Sequence, residues 1–321
     1  MSVCDLESVG GLLTRSAVTI GMFDGVHMGH RALLEALRRE AHRIHGQSVV
    51  LTFDRHPAEI LRPDKAPKLI CTLRQRVAAL SAFGVDVVVV AKFDQSISGV
   101  SPREFLEDTL IGRLKAVVVV VGPDFRFGKN RAGDFSLLAE MGVEKGVAAI
   151  AIPPIRVDGA PVSSTRIRAL LKHGHVEDAG RLLGHPFVLE GVVARGAGLG
   201  RKLGFPTANV QVEAGQLVPG QGVYIADVMV MDGVYRGLVS VGSRPTVGGT
   251  ETVVEAHIID FRDSIYGETI RVGFAARLRD QKKFASLDQL VDQMRRDVED
   301  ALRPAGKVRS KANDLRRMGF D

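Results

Sequence analysis

Thr19-Ile-Gly-Met-Phe-Asp-Gly-Val-His-Met-Gly-His30 decides how the first half of this chain is read. An apolar run breaks into a glycine-rich turn, and apolar residues at helical spacing follow from Arg31 to His45. That pattern is a strand passing through a turn into a helix N-terminus. Gly21, Gly25 and Gly29 carry no Cβ, so the backbone there can approach a ligand closely. The free N–H groups and positive end of a helix starting near Gly29 favour a phosphate. His27 and His30 are three residues apart and can face one side of the turn. Each can hydrogen-bond a phosphoryl oxygen, more strongly when protonated. With Phe23 and Asp24 these residues form an expected ATP-binding turn. Two histidines beside a helix start are otherwise ordinary surface or half-buried residues; the frame Gly-x-Phe-Asp-Gly-x-His-x-Gly-His after an apolar strand is what gives them chemistry.

Outward from this stretch, Val- and Ile-rich runs alternate with helical patterns. Strands are expected at Ala17–Phe23, Ser48–Phe53, Val85–Ala91, Lys115–Gly122 and Ala148–Pro153, with the composition of strands buried on both faces. Helices are expected at Arg31–His45, Leu73–Phe83, Pro102–Leu114 and Asp134–Lys145. The alternation predicts an α/β unit, a doubly wound, Rossmann-like parallel sheet whose ligands gather at the carboxyl ends of the strands. The opening stretch lies at such an end.

Two further pieces fall at strand ends. Gly122-Pro-Asp-Phe-Arg-Phe-Gly-Lys-Asn-Arg-Ala-Gly-Asp134 combines glycines, three cations and two aromatics. It is not a Walker A loop, because Asn130 follows the Gly-Lys pair and no helix is expected there. It is either a connecting turn or a wall for a flat aromatic ligand, with Asp124, Phe125 and Phe127 shaping the pocket and Phe53 nearby. Val162-Ser-Ser-Thr-Arg-Ile-Arg-Ala-Leu-Leu171 opens another helix. Ser163 or Ser164 serves as its N-cap, or Ser164, Thr165 and Arg166 form a second anion site suited to a polyphosphate.

Near Gly184-His-Pro186 helical spacing gives way to short alternating strands, the pattern of a closed antiparallel β-barrel. Expected strands are Phe187–Ala194, Gly222–Met231, Val234–Val241, Thr252–Ile259 and Thr269–Arg279, followed by an amphipathic helix Leu287–Leu302 packed on the barrel. Within this half, Gly196-Ala-Gly-Leu-Gly-Arg-Lys-Leu-Gly-Phe-Pro-Thr-Ala-Asn209 stands out. Its loop, with Gly198, Gly200 and Gly204, can wrap phosphate through backbone N–H groups. Beyond Pro206, Thr207 and Asn209 alternate onto one side and offer neutral oxygens to Mg²⁺, which keeps water and nucleotide phosphates as its other ligands.

The whole chain sets bounds. Its 321 residues allow one large domain or two ordinary ones, and its 45% apolar share is that of a globular protein with a real core. No apolar run approaches the ~20 residues of a membrane span, and no signal peptide is legible at the N-terminus. Cys4 and Cys71 make no disulfide framework and suit a reducing cytosol, so a cytoplasmic location is expected. The net charge is +6, of which the stretch from Arg303 to Asp321 supplies +4 (six basic residues against Asp314 and Asp321). A nucleic-acid groove needs more in its folded part, so neither nucleic acid nor membrane is expected as a partner.

In combination these motifs resemble a family. His-x-Gly-His is similar to the signature of nucleotidyltransferases. Together with Asp-Phe-Arg-Phe-Gly, Ser-Ser-Thr-Arg-Ile-Arg and Thr52-Phe-Asp-Arg-His-Pro57, it resembles the adenylyltransferase half of bacterial bifunctional riboflavin kinase/FAD synthetases. Gly-Arg-x-Leu-Gly-x-Pro-Thr-Ala-Asn resembles their riboflavin kinase signature. Matches continue at Pro219–Tyr224, Val241–Thr246 and Glu255-Ala-His-Ile-Ile-Asp-Phe261. The resemblance covers Thr19 to about Ala301 without departure at the signature positions. It implies that riboflavin is phosphorylated by ATP to FMN in the barrel, and FMN adenylylated by a second ATP to FAD and pyrophosphate in the sheet domain. It implies Glu255 as the base taking the flavin hydroxyl proton, where the residue alone reads equally as a solvent-facing strand glutamate. It places His27 and His30 at the ATP phosphates, Thr207 and Asn209 at Mg²⁺, and Ser164, Thr165 and Arg166 at the triphosphate. The expected domains are 1–184 for adenylyl transfer, 185–303 for the kinase, and a basic tail at 304–321. Three rivals are weaker. A class I aminoacyl-tRNA synthetase needs a Lys-rich second signature that is absent from the chain. A nucleotidyltransferase for another substrate leaves the barrel idle, and a flavin-binding regulator with decayed sites would not keep all five catalytic residues. Oligomeric state is not legible.

Overall fold

The computed structural model describes residues 1–196, 198–246 and 249–303, so the basic tail expected at 304–321 lies outside the described residues. The chain divides into two compact units. The first holds Met1–Leu69 and Leu73–Ser163; the second holds Ile70–Thr72 and the described residues from Ser164 on.

The first unit runs β1 (Ser2–Asp5), β2 (Ser16–Ile20), α1 (Met28–Arg43), β3 (Gln47–Phe53), α2 (Pro57–Leu61), α3 (Leu73–Ala82), β4 (Val87–Ala91), α4 (Gln95–Gly99), α5 (Pro102–Glu104), β5 (Ala116–Val121), α6 (Phe135–Lys145) and β6 (Ala148–Ala151). The strands form one sheet in the order β1-β4-β3-β2-β5-β6. Every pairing is parallel, with Val18 opposite both Val49 and Val119. Alternation along the strands splits the core between the two faces. Ala17, Val50, Val88 and Val118 pack with Leu34 and Leu37 of α1 and Leu80 of α3. Val18, Val49, Leu51 and Val119 pack with Leu106, Leu110 and Leu138 on the other face. Helices therefore cover both sides, as the runs of Val and Ile predict.

Three details depart from the sequence reading. β1 was not expected: four residues, mostly exposed at one edge, carry no apolar signature. The helix expected over Pro102–Leu114 is α-helical only to Glu104 and then continues as a π-helix, Phe105–Arg113. Its wider turn suits the uneven spacing of the buried Phe105, Leu106, Leu110 and Leu114. A short 3₁₀ turn, Lys129–Arg131, does form in the loop after β5, where no helix was expected. A two-strand hairpin, β7 (Arg156–Val157) and β8 (Ala160–Pro161), closes the unit through Asp158 and Gly159, both at positive φ.

The second unit opens with α7 (Ser164–Lys172) and α8 (Val176–Leu183), then β9 (Phe187–Ala194), α9 (Leu199–Lys202), β10 (Ala208–Val212), β11 (Gly222–Val230), β12 (Gly233–Thr246), β13 (Gly249–Ile258), β14 (Thr269–Arg279) and α10 (Leu287–Leu302). The six strands close into an antiparallel barrel in the order β10-β13-β12-β11-β14-β9, with β9 also paired to β10. The expected barrel and terminal helix are both present; β10 is the strand the sequence reading left as an extended segment. α10 is capped by Ser286 and fixed by Asp297, whose carboxylate accepts three bonds from Arg279 (2.6–3.0 Å).

Candidate active sites

The first site is assembled where β2 ends. Strand order reverses direction across β2, with β3 on one side and β5 on the other, so the carboxyl ends of three adjacent parallel strands bound one crevice edge. Gly21–Val26 follow β2, Phe53 ends β3, and Asp124–Phe127 lie just past β5. The sheet thus brings these expected residues to one edge.

The turn is tight. Phe23 (φ 48°) and Val26 (φ 37°) sit in left-handed backbone that side chains other than glycine rarely adopt, flanking Gly25 at φ 81°. Phe23, Asp24, Val26 and His27 are buried. His27 is the N-cap of α1, its Nδ1 accepting from the backbone N–H of His30 at 3.3 Å. The two imidazoles stack, with centroids 3.6 Å apart and planes 11° apart, and Phe23 packs tilted on His30 at 5.0 Å. Gly21 and Gly29 make room for these rings. A Cβ at 29 would meet the His27 ring at 3.2 Å, and one at 21 would meet Phe23 at 3.3 Å. The carbonyl of Val162, after the hairpin, lies on the same side of Gly29.

Burial, then the charge of His27, then that of Arg76 hold His30 well below its ordinary value of 6.5. The sequence reading allowed for a protonated histidine here; His30 instead enters as a neutral imidazole at neutral pH.

Around this turn the other expected residues differ in setting. Phe53 is half-buried and meets Phe93 edge-on at 5.3 Å. Asp124 is exposed. Phe125 stacks on Phe127 at 5.3 Å, while Phe127 is itself a core residue, bridged to Gly133 and packed near Phe105. Ser164, Thr165 and Arg166 form the first turn of α7, in the second unit. One residue the sequence reading passed over is Arg76, on α3. It lies three residues after Leu73 and four before Leu80, a lone cation on an otherwise apolar stripe, and that was the signal available.

The second site is built on the barrel wall. Asn209 of β10 pairs directly with Glu255 of β13. With its NH₂ toward that strand, the Asn209 carboxamide donates to Glu255 Oε1 (3.3 Å) and accepts from the Gly196 N–H (3.2 Å). A Cβ at Gly196 would collide with the head of the Asn209 carboxamide, so only glycine leaves that group its place. Gly200 is similarly confined: a Cβ there would collide with the Phe205 carbonyl and lie 3.2 Å from Thr207 Oγ1. Gly198 and Gly204 turn the loop at φ 69° and 86°.

Thr207 is held from the other side. His257 Nδ1 donates to the Pro206 carbonyl at 2.8 Å, anchoring the segment to β13. A cavity of about 300 Å³ opens beside Thr207, lined also by Arg201, Ala256, Ile258, Phe261 and Tyr266. Arg195 and Arg201 face the Tyr266 ring at 5.4 and 6.0 Å, and Arg201 donates to its hydroxyl. Tyr266 carries no motif in the sequence, and His257 enters it only as part of the Glu255–Phe261 match, without a role of its own.

Thr207 and Asn209 bring two neutral oxygens, and among the described residues no group of three or more His, Cys, Asp or Glu could hold a metal. That donor set fits a Mg²⁺ ion that draws most of its ligands from phosphate and water. Among the described residues no helix is long and apolar enough to cross a membrane.

Comparison with known proteins finds a family for each half of the chain. An FAD synthetase family model matches residues 12–166, and a riboflavin kinase model matches residues 183–304. The chain is 39% identical over 281 residues to the bifunctional riboflavin kinase/FMN adenylyltransferase of Escherichia coli K12, covering 87% of this chain and 90% of that one. It is 31% identical over 299 residues to the Bacillus subtilis enzyme of the same name, covering 92% and 94%. A solved structure described as a macrolide-efflux protein from Streptococcus pneumoniae superposes with a TM-score of 0.83 at 34% identity, covering 92% of this chain and 96% of that one. A riboflavin kinase and an FAD synthetase stand on one polypeptide, and the chain belongs to the bifunctional riboflavin kinase/FMN adenylyltransferase family.

Proposed function

We propose that the two sites divide the path from riboflavin to FAD between them. In the barrel, Glu255 accepts the proton of the flavin's ribityl 5′-hydroxyl, and that oxygen attacks the γ-phosphorus of ATP as ADP leaves. Thr207 and Asn209 hold Mg²⁺, which supplies charge neutralisation on the phosphates when bound. Gly198, Gly200 and Gly204 carry the loop over those phosphates. The Asn209–Glu255 hydrogen bond supports this reading most directly: it keeps the base and an expected metal ligand in one register.

At the sheet edge, a phosphate oxygen of FMN attacks the α-phosphorus of a second ATP and pyrophosphate leaves. His27 and His30, with Gly21, Phe23, Asp24, Gly25 and Gly29, hold the phosphates in line. Imidazole N–H groups and the N-terminus of α1 stabilise the charge that builds there, and no covalent intermediate is needed. Phe53, Asp124, Phe125 and Phe127 guide nucleotide and flavin. The roles of Ser164, Thr165 and Arg166 at the triphosphate rest on the family resemblance.

We assign residues 1–184 to adenylyl transfer and 185–303 to the kinase, with 304–321 a basic tail outside both. The partners are small molecules, with neither nucleic acid nor membrane among them. A cytoplasmic location fits Cys4 and Cys71, both free of disulfides. Incubation with riboflavin, ATP and Mg²⁺ should yield FMN and then FAD, separated by chromatography. His30→Ala should stop at FMN, and Glu255→Ala should make FAD only from supplied FMN. Loss of both activities from either change in a folded protein would overturn the division.

A further inference from the structure

The reaction laid out above leaves one buried charge of the first unit unused. Arg76 is 0% exposed. Its Nη1 donates to Thr52 Oγ1 (3.0 Å) and to the Phe53 carbonyl (2.7 Å). The Thr52 hydroxyl donates onward to the Met22 carbonyl at 3.3 Å, inside the turn that carries the histidines. Nε and Nη2 of Arg76 meet no acceptor, and no carboxylate is in ion-pair contact with it among the described residues. Thr19 Oγ1 and His30 Nδ1 are likewise buried without a partner. Thr19 shares the face of β2 occupied by Ala17, the side on which α1 and α3 pack.

A layer built only for stability would not look like this. The neighbours of Arg76 on α3, Val77, Ala79 and Leu80, join the apolar cluster under α1. An apolar side chain of similar length at 76 would remove two orphaned donors and an unpaired charge. Such a group is retained for what it does to its surroundings.

We propose that Arg76 is a positioning residue for adenylyl transfer, tying the carboxyl end of β3 to the Gly21–Phe23 turn through Thr52, so that the two stacked imidazoles meet ATP in one arrangement. This rests on the adenylyl-transfer reading of that turn. The charges acting on His30 are those of His27, from its own turn, and Arg76, from α3; burial and both charges lower its affinity for a proton. The Phe23 ring covers it from the turn itself. Arg76 thereby adds its charge to that of His27 in disfavouring a proton on His30.

The test uses the full-length chain with Arg76→Met and Arg76→Lys. In Arg76→Met, kcat for FMN adenylylation should fall by about 10- to 100-fold, the scale of a small misplacement of reacting groups, while KM for ATP changes little. Riboflavin phosphorylation by the same protein should be unchanged, and its melting temperature equal or higher. The His30 imidazole, followed by NMR and assigned by its loss in His30→Gln, should titrate closer to the ordinary value in Arg76→Met. Arg76→Lys keeps the charge without the planar fork; it should titrate as the wild type and adenylylate at an intermediate rate. Wild-type adenylylation in Arg76→Met, an unmoved His30 titration, or a parallel loss of melting temperature and both activities would each overturn the proposal. Full adenylylation by His30→Ala would instead sink the reading of the turn itself.

Discussion

In the roles proposed above, the two sites hold a nucleotide's phosphates with opposite materials. At the sheet edge the polar groups are left wanting: His30 Nδ1, Thr19 Oγ1 and two nitrogens of Arg76 are buried without partners. On the barrel the corresponding groups are already joined, with Asn209 bonded to Glu255 and Gly196, and His257 to Pro206. The difference follows the chemistry. In the proposed roles, adenylyl transfer asks the protein to meet charge that appears only as the α-phosphorus is attacked, and unsatisfied donors and fixed charges suit that demand. Phosphorylation of an alcohol asks for a base and a metal ligand in register, and a strand pair sets that register before any substrate arrives.

The contrast breaks first at its catalytic groups. Glu255→Ala should lower riboflavin phosphorylation by about 10²- to 10⁴-fold, the usual weight of a positioned base, with FAD formation from FMN untouched. His30→Ala should lower FAD formation by about 10²- to 10³-fold with FMN accumulating, the loss expected for one aligned donor. Chromatography of the two products checks both, and the contrast fails if the losses do not fall on separate products.

Glycine substitutions sharpen it next. Gly196→Ala drives a methyl into the Asn209 carboxamide and should cost the kinase more than Gly29→Ala costs adenylyl transfer. The first contact is a collision and the second stands at 3.2 Å, which the His27 ring can relieve by a small shift. Initial rates of the two half-reactions decide the order. Equal losses would mean that the loop at Gly196 is not confined as described.

The smallest expected effect is on stability against pH. His30 holds a proton less readily in the folded chain than in the unfolded one. The unfolded state therefore binds more protons below the ordinary value of 6.5, and its contribution is full above that pH and lost as pH falls toward the lowered folded value. The slope from this group is at most about 1.4 kcal/mol per pH unit. Thermal melts from pH 7 downward should show it, and His30→Gln should flatten it.

Much of this was legible before any coordinates. Runs such as Val87–Ala91 and Ala116–Val121 specify strands buried on two faces, and the dense motifs at Gly21–His30 and Gly196–Asn209 mark where strands end. What escaped had no local signature. β1 is short and edge-bound, and the π-helix at Phe105–Arg113 depends on how its apolar residues meet the sheet. Arg76 draws its meaning from Thr52, Phe53 and His30, all more than twenty residues away in sequence. A protonated histidine is a fair reading of His-x-x-His in water; at His30, burial and then the charges of His27 and Arg76 disfavour it.

The closed barrel carries a consequence for how the chain is made. β9 finds its partners in β14, with Glu190 opposite Arg271 and ion-paired to it at 2.9 Å, so the ring cannot shut until about Arg279 has left the ribosome. The sheet is complete at Ala151. Nascent chains stalled near residue 250 should thus already protect β1–β6 from protease while leaving the emerged β9 open to it. Synthesis and metabolism then run in opposite order: the half that finishes the cofactor is the first to be born.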